Sequence, residues 1–166
     1  MLANDLLQQA RLLATLDARK PKQANLRRAI SAAYYALFHL LVAAAVERVS
    51  PRTPGNLAPR IARAFSHLDM KQVCKSLWAG NPSEILRELQ PAGFSAEIRL
   101  VARLFVELQE ARHLADYDPA VIFDRDDTIE TVWRVENAFQ EWQRVKMHDE
   151  ATVFLTALLF AGRWSK

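Results

Sequence analysis

A single cysteine, Cys74, in 166 residues excludes an internal disulfide, and its place in a helical stretch points to a reducing, cytoplasmic compartment. Glycine is scarce too, at four, and neither a glycine-rich phosphate loop nor a Gly-x-Ser-x-Gly elbow occurs. His39, His67, His113 and His148 with one cysteine give none of the common metal-ligand spacings. No His-Glu-x-x-His is present, so neither a metal nor another cofactor is expected. The longest apolar run, Val153 to Ala161, falls short of the roughly 20 residues that cross a bilayer. Met1 to Asp5 lack the basic cluster that opens a secretory signal. No membrane segment is expected.

What remains is the composition of one globular domain over residues 1–166, 51% hydrophobic, with 22 basic against 19 acidic side chains. At this length roughly two-thirds of the unfolded chain's surface can be buried, so a full core needs no crosslink. The net charge is +3, but it is unevenly spread. Residues 1 to 63 hold ten Lys or Arg and three acids, whereas residues 64 to 166 hold twelve and sixteen. A basic first third suits a phosphate-rich partner, and suits equally a surface that pairs its own basic and acidic segments.

Abundant Ala, Leu, Arg, Gln and Glu, with no alternating segment, predict an all-α chain of five to six helices. The first runs from about Ala3 to before Pro21, with Leu6, Leu7, Ala10, Leu13, Ala14 and Asp17 along one side. A long second helix, Lys22 to Val49, carries the core stripe Leu26, Ile30, Ala33, Tyr34, Leu37, Phe38, Leu41, Ala44 and Ala45. Pro51, Pro54, Gly55 and Pro59 then form a break. A third helix covers Pro59 to Trp78, and Ala79 to Phe94 reads as a loop with at most one short helix. The fourth, capped by Ser95, turns Ile98, Val101, Phe105 and Leu108 inward and stops near Tyr117.

After a linker opened by Asp118 and Pro119, Asp126 or Asp127 caps a fifth helix, with Glu130 completing a capping box on Asp127. That helix buries Val132, Val135, Phe139 and Trp142. The last, Asp149 to Ala161, is apolar nearly all round and is expected to end at a left-handed Gly162. Such a helix must be covered by the domain's own core or by a second copy.

Two features break the pattern of apolar inside and polar outside. On the long helix, Arg28, Ser31, Tyr35 and His39 follow at steps of three, four and four, which makes one polar stripe beside the core face. On the fourth helix the line of Val101, Phe105 and Leu108 continues to Arg112, with Asp116 one turn further. A guanidinium on a buried stripe keeps its charge and must meet a carboxylate, polar side chains or a bound anion. An internal ion pair with Asp116 would satisfy it; so would a ligand phosphate. His113 and Tyr117 lie beside it, and His, Tyr and Arg together are the parts of a metal-free phosphodiester site. Quieter roles are open to each: Tyr35 as a ring on the core margin, His39 as an interior histidine, Ser31 bonded back to its own helix. The cluster Arg19, Lys20, Lys22, Arg27 and Arg28 can contact a phosphate backbone or form a solvated face.

The stretches Arg28-Ala-Ile-Ser31-Ala-Ala-Tyr34-Tyr35-Ala-Leu-Phe38-His39 and Arg112-His113-Leu-Ala115-Asp116-Tyr117 resemble the two signature segments of the HEPN superfamily. The likeness is to its small prokaryotic branch, with Ser-x-x-Tyr-Tyr-Ala-x-Phe and a later Arg-x-x-Ala-Asp-Tyr. It implies an up-and-down helical bundle that homodimerises, with the polar residues of two copies facing a shared cleft. Members of that family include metal-independent ribonucleases of toxin-antitoxin, phage-defence and RNA-processing systems, nucleotide binders and inert scaffolds. An antitoxin or a nucleotidyltransferase is the kind of partner protein implied.

The family's nuclease motif is an Arg, a polar residue and, after a gap of four to six, a His. Arg112 and His113 match its beginning, but the positions for the final His hold Tyr117, Asp118 and Pro119. The preferred expectation is therefore a binding module in which Arg112, His113 and Tyr117, with Arg28, Ser31, Tyr35, His39 and Asp116, hold a nucleotide, an RNA or a partner group. The alternative is a ribonuclease using Arg112 for charge and His39 or His113 for proton transfer. A scaffold whose polar stripe fixes helix register is the third.

Overall fold

In the computed structural model, which describes residues 1–49 and 57–164, every regular element is an α-helix. The break expected at Pro51, Pro54 and Gly55 lies outside the described residues. Among the described residues there are eight helices, and the fold class is an all-α helical bundle. They are α1 (Leu2–Thr15), α2 (Gln23–Val49), α3 (Ala58–Ala62), α4 (His67–Trp78), α5 (Glu84–Leu89), α6 (Ala96–Tyr117), α7 (Arg125–Val145) and α8 (Asp149–Trp164).

The number exceeds the expected five to six because a serine cap divides one segment that hydrophobic spacing alone joins, and a short helix forms within the expected loop. Ser66 adopts extended backbone and accepts a hydrogen bond from Asp69 N at 3.3 Å, so the helix expected over 59–78 becomes α3 and α4. Ser83 likewise accepts from Leu86 N and starts α5 inside the expected loop. Ser95 caps α6 as its sequence predicts, accepting from Ile98 N at 3.3 Å.

Three ends differ from expectation. Helix α1 stops at Thr15, and Asp17 takes a left-handed φ of 52°, which a short polar residue tolerates better than a branched one. Helix α7 is capped by Asp124, not by Asp126 or Asp127. The Asp124 Oδ1 accepts from Asp126 N at 2.7 Å and Asp127 N at 3.3 Å, which leaves those two acids in the first turn, where the helix dipole favours them. Gly162 is not a stop, because α8 continues through it to Trp164. A Cβ there would lie 2.7 Å from Asp69 Oδ2, so this glycine lets α8 approach α4. The helix that does end on a left-handed glycine is α4. Gly80, with φ 69°, donates to Leu77 O while Asn81 N donates to Ser76 O, the paired bonds of a Schellman turn.

The chain sorts into two compact units, residues 1–39 with 104–140 and residues 40–103 with 141–166. In the first, Leu7, Ala10 and Ala14 of α1, Leu26, Ile30, Ala33, Tyr34 and Leu37 of α2, Phe105 and Leu108 of α6, and Val132 and Val135 of α7 are buried. Tyr34 and Phe105 meet with ring centroids 5.6 Å apart. The second buries Met70, Cys74, Leu77, Leu86, Ile98, Trp142, Phe154 and Leu158. There α8 packs on α4 and α5, so the apolar face of the last helix is covered within its own unit.

Helix α2 is more apolar than its stripe alone predicts, since Ala29, Ala32, Ala36, Leu40 and Val42 are buried as well. Gln23–Arg48 is long and apolar enough to cross a bilayer by length and composition, which the expectation of no membrane segment passed over. Of its most apolar stretch, 72% is buried inside the protein, the environment of a central core helix.

Candidate functional site

The first unit gathers polar side chains along one ridge of α2. Gln23, Arg27, Ser31, Tyr35 and His39 recur every four residues, a row that winds slowly round the helix, and its first four members face one neighbour. That neighbour is the end of α6 and the linker beyond it. Gln23 pairs with the backbone of Phe123 in both directions, Nε2 donating to its carbonyl at 2.7 Å and Oε1 accepting from its N–H at 2.9 Å. Arg27 donates from Nη1 to Leu114 O and Ala115 O, and from Nη2 to Asp118 O and Val121 O, with its guanidinium 5.5 Å from the Phe123 ring centroid. One turn on, Ser31 Oγ donates to Asp116 Oδ1 at 2.6 Å.

Asp116 turns its other oxygen to Arg112, whose Nε donates to Oδ2 at 2.9 Å along the same helix. The Arg112 side chain is 19% exposed, so the inward-facing arginine inferred from spacing is present, at the rim of the core and not at its centre. Asp116 stands at an exposed position, yet its side chain keeps only 22% exposure because Ser31 and Arg112 cover it. Three tyrosines surround the guanidinium, with ring centroids 5.7 Å (Tyr34), 5.4 Å (Tyr35) and 6.0 Å (Tyr117) from its Cζ. These are cation–π distances. Burial works against the charged guanidinium, but Tyr35, Asp116 and Tyr117 outweigh it and hold the Arg112 pKa above its ordinary value.

The ion-pair reading and the ligand reading meet at this arginine. Its Nε is taken, but among the described residues nothing accepts from Nη1 or Nη2. Four N–H donors of a fixed, planar fork therefore remain for an anion.

The other expected site residues divide. Tyr35 and Tyr117 join the cluster, the former half-buried and the latter 67% exposed. His39 is half-buried beside Tyr35 and against the edge of Phe38, 5.2 Å between centroids. Burial lowers its pKa, so the imidazole is neutral at neutral pH. His113 is exposed and packs on Tyr117 at 5.1 Å, about 100° round α6 from Arg112. Among the described residues neither histidine makes a hydrogen bond that would orient it for proton transfer.

Arg28 is exposed and lies off the ridge. The polar stripe passes through Arg27 and not through the expected Arg28, because Arg27 is the one that meets the end of α6. Its signal was the unbroken spacing of four from Gln23 to His39, but adjacent arginines offer two registers and only the packing of α2 against α6 chooses between them. Among the described residues no three His, Cys, Asp or Glu side chains come together as a metal site requires.

Comparisons with models of protein families, with curated proteins and with solved structures return no match.

Proposed function

We propose that the chain is a HEPN-like binding module whose Arg112 cluster receives the phosphate of a nucleotide or an RNA. The observation that carries the reading is a guanidinium with only its Nε–H engaged. Asp116 fixes Nε and the direction of the fork, while Nη1 and Nη2 lie open among aromatic rings that suit a base or ribose. The two stretches that resemble the family supply its members, Ser31, Tyr34 and Tyr35 from one and Arg112, Asp116 and Tyr117 from the other. A binding role is favoured over ribonuclease activity because His39 packs on Tyr35 and Phe38 with no orienting hydrogen bond among the described residues, and His113 faces solvent beside Tyr117. With the family reading come a cytoplasmic setting, a toxin-antitoxin or defence role and a second copy, an antitoxin or a nucleotidyltransferase as partner. The dimer rests on the resemblance alone, since α8 is covered within its unit.

Titrating adenosine 5′-monophosphate and a short single-stranded RNA into the protein in EDTA tests the proposal. Binding is expected to fall about a hundredfold in Arg112→Ala, the scale of losing a charge-assisted, bidentate phosphate contact. RNA cleavage that disappears in the same variant would make the protein an enzyme. Binding of neither probe would reduce the Ser31–Asp116–Arg112 chain to a register device.

A further inference from the structure

Arg27 commits both terminal nitrogens of its guanidinium to backbone carbonyls at the edge of a core. Its four acceptors bracket the functional segment. Leu114 and Ala115 lie just before Asp116, while Asp118 and Val121 lie just after Tyr117. The last carbonyls of an α-helix have no partner within the helix, and a cation placed on them also meets the negative end of the helix dipole. Arg27 thus closes α6 and folds the following linker back under one side chain. Gln23, one turn earlier on the ridge, fastens the same linker at Phe123.

The consequence reaches the anion site through a single rotation. Asp116 is on the terminal turn of α6, where helices fray, and its carboxylate must face Ser31 and Arg112 together. Two points on α2, Arg27 on the backbone and Ser31 on the side chain, determine how that turn is rotated. We infer that Arg27 is the positioning residue of the Arg112 anion site: by clamping the carbonyls on either side of Asp116 and Tyr117, it sets the direction of the guanidinium fork without touching the ligand. For its ligand this inference rests on the function proposed above; for its geometry it stands alone.

Two readouts on the full chain separate a positioning role from simple support of the fold, both taken at a temperature where circular dichroism shows each variant folded. The first needs no ligand: the solvent exchange of the Arg112 Nε–H proton by NMR, protected in the wild type by Asp116. In Arg27→Ala this exchange is expected to accelerate at least about tenfold as the turn loosens. The second is affinity for adenosine 5′-monophosphate and single-stranded RNA, expected to weaken about tenfold with an unchanged salt dependence, because the phosphate contacts are still made by Arg112. Arg27→Lys, which keeps the charge but loses the fork, is expected to fall between, and it decides the matter if Arg27→Ala does not fold. A folded variant with wild-type Nε–H protection and wild-type affinity would overturn the inference, whatever its melting temperature. A flattened salt dependence would overturn it too, by making Arg27 a direct ligand contact. If the wild type binds neither probe, the proposed function falls and the exchange of Nε–H alone judges Arg27.

Discussion

The two units are built from the same kind of helix and close their ends by similar caps, yet they spend their polar side chains differently. In the unit of residues 40–103 and 141–166, polar groups mostly serve helix ends: Ser66 and Ser83 cap α4 and α5, Glu150 accepts from Ser95 N at 2.7 Å to reinforce α6, and Arg48 donates to the Lys146 carbonyl just past α7. Its interior is apolar, with Trp142 against Phe154 at 6.3 Å and a buried Cys74 whose thiol burial drives its pKa far up. That thiol is inert as a nucleophile. In the unit of residues 1–39 and 104–140, polar groups reach from helix to helix and end on a cation with unused donors. The first arrangement maximises burial; the second gives some of it up to hold a charge in a fixed direction.

The largest effect should come from the apolar unit. Trp142→Ala removes a side chain that is 1% exposed and leaves a cavity, at a cost of about 3–5 kcal/mol in denaturant unfolding. Where the variant is folded, anion binding should be unchanged; a loss of affinity equal to that of Arg112→Ala would erase the distinction between the units.

A smaller loss is expected at Asp116. Its replacement by alanine leaves the Ser31 hydroxyl and Arg112 Nε without their acceptor, worth about 1–3 kcal/mol, while Asp116→Asn retains an acceptor for Ser31 and should lose less. Both should weaken phosphate binding more than they lower stability, measured as affinity in the folded protein beside the unfolding midpoint. Equal effects on the two would place Asp116 with the merely structural groups.

The smallest effect concerns pH. Burial lowers the folded-state pKa of His39 below its ordinary 6.5, so the folded protein binds fewer protons at this site than the unfolded chain. Its contribution to stability is complete above pH 6.5 and is lost as the pH falls through the folded value. His39→Gln should flatten that part of the stability profile in chemical denaturation between pH 7 and 5. A profile unchanged by the substitution would show that the imidazole is not desolvated.

Much of the architecture was legible because the rules that carry it are local. Spacings of three and four gave α1, α2, α6, α7 and α8, and the capping hydroxyl of Ser95 gave the start of α6. Hydrophobic continuity over 59–78 hides the Ser66 cap that separates α3 from α4, whereas α5 is the one short helix that the glycine- and proline-rich segment 79–94 leaves room for. Gly162 misled for a related reason. A glycine near the end of an apolar run resembles a stop until the carboxylate of Asp69 is found where its Cβ would be.

For the site, the sequence alone determined what one helix can determine: that Arg112 and Asp116 share a face of α6, and that Ser31, Tyr35 and His39 share one of α2. Pairs four residues apart on a helix are neighbours whatever the rest of the chain does. Only the tertiary structure decided that Arg27 and not Arg28 meets the end of α6, that Ser31 donates to a carboxylate 85 residues away, and that Nη1 and Nη2 of Arg112 are left open. Those facts depend on the rotation of α2 about its own axis, which the packing of the whole buried core fixes and no local spacing contains.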